Sequence, residues 1–111
     1  IATTFGHALI ATEDAANLDE AQRVLKAAVA RDRDNPFAWY QLGMVYDQKG
    51  DMPRARLASA EQQALSGQMP AALHSAEAAE AALPKGSPDW LRAQDIAFEA
   101  RAAIERQRKR K

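Results

Sequence analysis

Apolar residues recur along the chain at steps of three and four, the spacing that gathers side chains on one face of an α-helix. Phe5, Ala8 and Leu9 begin the series, and Ala21, Val24, Leu25, Ala28 and Val29 continue it. Trp39, Leu42 and Tyr46 form a third stripe, followed by Ala55, Leu57, Ala58 and Ala64. Ala72, Ala76 and Ala79 make a fifth, and Trp90, Leu91, Ile96, Ala97 and Ile104 a sixth. The pattern predicts six helices, over 2–14, 18–31, 36–49, 53–66, 70–83 and from Ser87 into the C-terminal end. Asn17 with Glu20 three residues on predicts a capping box for the second helix, and Asn35 predicts a cap for the third.

The polar punctuation between these stripes is regular. Pro36, Pro53, Pro70 and Pro88 lie 17, 17 and 18 residues apart. Proline suits the first helical turn, where its missing N–H has no partner to lose. Gly50-Asp-Met-Pro53 and Gly67-Gln-Met-Pro70 are nearly one connector used twice, with glycine placed to end a helix in the left-handed conformation. Helices of this length joined by such tight turns pack on their neighbours in sequence. The expected fold is all-α.

Trp39, Leu42, Gly43 and Tyr46 carry a W-x2-L-G-x2-Y spacing, and Ala55 adds a further small position. Gly43 takes a side chain away from the stripe and so admits a neighbouring helix closely, at about 1 kcal/mol of helix propensity against alanine. These residues resemble the tetratricopeptide (TPR) signature, and the 17-residue interval is half of that family's period of about 34. The resemblance implies a TPR-like right-handed solenoid of about six antiparallel helices over 1–105. A basic tail over 106–111 is expected to fray. Ser59 and Gln62 depart from the repeat, while Gly67, Ala72, Ala76, Ala79 and Pro84 restore it half a repeat later, which leaves the register and the concave face open.

A narrower resemblance covers nearly the whole chain. It is carried by Ala-Leu-Ile-Ala-Thr-Glu-Asp at 8–14, Leu-Asp-Glu-Ala at 18–21 and Asn-Pro-Phe-Ala-Trp-Tyr-Gln-Leu at 35–42. Gly-Asp at 50–51, Leu-Ala-Ser-Ala-Glu at 57–61 and Gly-Ser-Pro-Asp-Trp-Leu-Arg-Ala-Gln-Asp-Ile at 86–96 complete it. Together they resemble the C-terminal tetratricopeptide tail of bacterial HExxH zinc metallopeptidases, the group that includes the periplasmic β-barrel assembly-enhancing protease. The resemblance implies a periplasmic tail joined to an upstream catalytic domain, in keeping with a chain that opens at Ile1. It further implies contact with outer-membrane assembly machinery, with substrates or with the protein's own peptidase domain. The alternative is a free-standing tetratricopeptide adaptor unconnected to proteolysis, and a cytoplasmic location stays open.

Composition narrows the chemistry. The 111 residues include no cysteine, so neither disulfides nor thiolate metal sites are available. No apolar run approaches the roughly 20 residues of a membrane span. A zincin helix needs two histidines four apart with a glutamate beside the first. This chain has only His7 and His74, in unrelated surroundings, so no metal site is expected in it and zinc would belong to the upstream domain. Glu77 with Glu80, and Asp95 with Glu99, share helix faces but at spacings usual for solvated carboxylates. With no phosphate loop or nucleophile elbow either, no catalytic residue and no cofactor is expected here.

Binding remains. With Trp39 in its packing position, Phe37, Tyr40, Met44, Asp47 and Gln48 project toward a groove suited to a protein or peptide partner. The competing reading packs Phe37 and Tyr40 against a preceding helix or the peptidase domain. Trp90 is expected to anchor the core and seal the open end of the stack. Fifteen basic and fifteen acidic residues balance, yet 101–111 holds six basic residues and one acidic, leaving +5 there and −5 elsewhere. No aromatic interleaves those charges, so nucleic acid is not the expected partner.

Overall fold

The computed structural model describes residues 15–110, so the helix expected over 2–14 lies outside them. Five helices follow one another: α1 (Ala15–Arg31), α2 (Pro36–Gln48), α3 (Met52–Leu65), α4 (Met69–Ala82) and α5 (Pro88–Arg110). There is no strand among the described residues. The architecture of the described residues is all-α, with five helices, and the other helix of the six expected falls outside them.

Local chemistry fixes the helix ends. Asn35 Oδ1 accepts the N–H groups of Phe37 at 3.1 Å and Ala38 at 3.3 Å, satisfying two of the donors that the first turn of α2 leaves open. At the other end Gly50 stands at φ 79°. The Gly50 N–H donates to Asp47 O at 3.0 Å and the Asp51 N–H to Tyr46 O at 2.8 Å, a Schellman closure. The Gly67 connector repeats this geometry, with φ 78° and N–H bonds from Gly67 to Ala64 O and from Gln68 to Gln63 O. The repeated sequence is thus a repeated backbone. Asp51 then caps α3 through the Arg54 N–H at 3.3 Å, whereas Gln68 gives α4 no side-chain cap. The α4–α5 connection differs, turning through Pro84 and Gly86, and Ser87 Oγ accepts the Trp90 N–H at 3.2 Å.

Each helix packs on its neighbours in sequence, and α3 also touches α5. The result is elongated, 48 × 29 × 20 Å. Two apolar clusters share α3 between them. Leu25, Trp39, Leu42 and Val45 lead the first, which Ala55 and Ala58 of α3 close. Leu57 and Ala60 join Ala76, Ala79, Ala93 and Ile96 in the second. Small residues set the spacing: a Cβ at Gly43 would stand 3.4 Å from that of Ala58 and 3.7 Å from Ala55 O.

Several expectations need correction. α1 already runs at Ala15, so Asn17 is an interior residue and not a cap, and Glu20 pairs with Arg23. That neighbouring guanidinium holds the Glu20 carboxyl below its ordinary value. Val24 is half-buried, and Leu18 takes a core place instead. On α5, Leu91 is 49 % exposed, while Ala93 and Ala100 are buried beside Ile96 and Ala97. The inward face of α5 is therefore rotated from the stripe inferred from its larger residues. Trp90 is half-buried and packs against the second cluster. The basic segment expected to fray from residue 106 continues as helix through Arg110.

Candidate functional site

α2 and α4 both pack on α3 but not on each other. Phe37, Tyr40, Met44, Asp47 and Gln48 fall on one stripe of α2, because steps of three and four return to the same face. Phe37 is 57 % and Tyr40 54 % exposed, while Met44 is half-buried against the first cluster. Tyr40, Met44 and Asp47 line a shallow cleft of about 270 Å³ with Met52, Arg56 and Ser59 of α3. Phe37 and Gln48 lie outside its lining. Gln63, on the same helix as Ser59, meets α4: its side-chain amide lies 2.7 Å from Ser75 Oγ and 2.9 Å from Ala71 O.

The signature residues serve packing. Trp39, Leu42, Tyr46 and Ala55 are buried, and Gly43 faces Ala58. Three of them also have a second role that the sequence did not suggest. α1 and α3 do not touch, and between them Trp39, Leu42 and Tyr46 floor a cleft of about 330 Å³ on the other side of α2. Val29 and Leu57 extend its apolar lining, and burial pushes the Tyr46 hydroxyl above its ordinary value.

Charge surrounds that cleft. Glu61, only 4 % exposed, accepts two hydrogen bonds from Arg92, from Nε at 2.8 Å and Nη2 at 2.9 Å. This two-pronged bond raises the Arg92 pKa and outweighs the partial burial that opposes it. Arg33 stands 3.5 Å from Glu61 and lies over the Trp39 ring, 5.5 Å from its centroid. The Arg33 carbonyl accepts the Trp39 indole N–H at 2.8 Å. Arg54 bonds Asp89 at 3.2 Å and Asp51 at 3.1 Å, which raises its pKa too. Sequence reasoning passed over Glu61 and Arg92. The one available signal was a glutamate three and four residues after Ala58 and Leu57, a charge at an apolar step.

Other candidate chemistry is dispersed. His74 is exposed on α4, and His7 lies outside the described residues. Glu77 pairs with Arg101 at 2.6 Å and Glu80 accepts from Gln94 at 3.2 Å, so both carboxylates link α4 to α5. Gln41 is 1 % exposed, and neither side-chain amide atom finds a hydrogen-bond partner among the described residues. Within those residues no helix is long and apolar enough to cross a membrane. Compared with known proteins, the chain matches no family model and no curated protein.

Proposed function

We propose that this chain is a noncatalytic protein-interaction domain of tetratricopeptide type, a right-handed solenoid of antiparallel helix pairs that receives a peptide or protein in the α2–α3 cleft lined by Tyr40. In the same reading it is the C-terminal part of a periplasmic zinc metallopeptidase and recognises substrates or partners in envelope quality control. The observation that carries the interaction role is the exposure of Phe37 and Tyr40 on a stripe beside a cleft. Large aromatics standing free on a rigid helix are costly to leave in water and productive when covered. The repeat assignment is supported by the Gly43–Ala58 approach and the duplicated Gly50 and Gly67 closures. The peptidase link rests on the sequence resemblance alone.

Peptides selected from a displayed library on the intact protein test the Tyr40 cleft. Tyr40→Ala is expected to weaken their binding about tenfold, a loss of about 1.4 kcal/mol, with the far-UV circular dichroism unchanged. Undiminished binding would remove the Tyr40 cleft from consideration. The coding sequence upstream of Ile1 tests the rest: an HExxH helix and a signal peptide are expected, and their absence would leave a free-standing adaptor.

A further inference from the structure

The cleft between α1 and α3 joins an apolar floor to an excess of positive charge. We propose that it takes an extended acidic peptide segment bearing one aliphatic or aromatic anchor. Lys26, Arg33, Arg54 and Arg92 border it against two carboxylates, Glu61 and Asp89. Both carboxylates are already engaged, Glu61 by Arg92 and Asp89 by Arg54. Two cations keep capacity for a ligand. Arg33 reaches Glu61 only at 3.5 Å with its side chain 55 % exposed. Lys26 is exposed and makes no ion pair among the described residues.

These two cations define a line. Five residues of helical rise, about 7.5 Å, and two residues of the turn that carries Arg33 separate the cations, a span of about three extended residues. An acid–x–x–acid segment therefore meets both ends, and an apolar side chain between the acids falls over Leu42 and Trp39. A volume of about 330 Å³ holds one large side chain with its flanking backbone. It is too small for a whole helix of about 10–12 Å diameter. A neutral segment would cover Lys26 and Arg33 without supplying partners, which desolvation penalises. The site lies across α2 from Tyr40 and does not depend on the Tyr40 cleft.

The protein holds two tryptophans, so in Trp90→Phe the indole of Trp39 on the cleft floor is the sole reporter. The probe is acetyl-Gly-Asp-Ser-Leu-Glu-Gly-amide, compared with its Asn/Gln counterpart. The acidic peptide is expected to change Trp39 emission saturably, with an affinity that falls as salt is added. Lys26→Glu is expected to weaken it about tenfold, Arg33→Gln several-fold, and Tyr40→Ala not at all. If Arg33→Gln lowers the melting temperature by loosening Trp39, the exposed and unpaired Lys26 carries the test alone. Equal binding of the amide peptide, unchanged affinity in Lys26→Glu, or no response to either peptide near 1 mM, a binding energy of only about 4 kcal/mol, would each overturn the proposal. Loss of binding in Tyr40→Ala but not in Lys26→Glu would place the peptide in the Tyr40 cleft and overturn it equally.

Discussion

Gly43 marks a close approach of α2 and α3, and its surroundings separate two effects of substitution. A methyl group there would meet Ala58 Cβ at 3.4 Å, an ordinary though tight contact. Gly43→Ala is therefore expected to stabilise by up to about 1 kcal/mol through helix propensity. Gly43→Leu should cost about 1–3 kcal/mol by forcing the helices apart. Urea denaturation followed by circular dichroism distinguishes them, and a tolerated leucine would mean that the contact is loose. Glu61 and Arg92 illustrate a different dependence. Arg92→Ala strands a buried carboxylate and should cost about 1.5–3 kcal/mol, kept at that level because Arg92 is 37 % exposed and Arg33 remains nearby. Tyr46 adds a pH effect. Burial raises its pKa, so its contribution is full below the ordinary value near 10 and declines as pH rises through the folded value. Tyr46→Phe should flatten the loss of stability above about pH 10, measured as melting temperature against pH.

At the scale of elements, the connectors determine where helices stop. Gly50 and Gly67 hold positive φ and carry the same pair of closing bonds, with open space around a would-be Cβ. Gly50→Ala and Gly67→Ala should each cost about 1–2 kcal/mol by conformation alone, and asparagine should cost less at either site. Much of this was legible beforehand. The Asn35 cap, the Gly50 stop and the small-residue stripe of α4 follow from bonds and contacts within a few residues. The Asn17 cap was not, because α1 already includes Ala15 and Ala16, and a local capping signal cannot report that. Leu91 misled for a related reason. Its size suggested burial, but the face of α5 that meets α4 is chosen by close approach, which Ala93, Ala97 and Ala100 permit and leucine does not.

For the whole molecule, connectivity assigns unequal protection. α3 alone packs on three other helices, α2, α4 and α5, whereas α1 packs only on α2 among the described elements. Amide hydrogens of α3 should exchange slowest and those of α1 and the last turns of α5 fastest, as mass spectrometry under native conditions would measure. Uniform protection across the helices would contradict a neighbour-by-neighbour assembly. The same connectivity makes the cleft between α1 and α3, two helices that share α2 without touching. The chain by itself determined that it is helical, where most helices end and which residues form the tight α2–α3 seam. Those properties depend on backbone geometry and on spacing within one or two turns. Only the tertiary structure decided that Glu61 of α3 would be buried beneath Arg92 of α5 and Arg33 before α2. It also decided that Trp39, Leu42 and Tyr46 would floor a second, cation-lined cleft. Those outcomes join groups distant in sequence, Arg92 and Glu61 by 31 residues and Arg54 and Asp89 by 35, whose meeting depends on how the helices are stacked and on no pattern within any one of them.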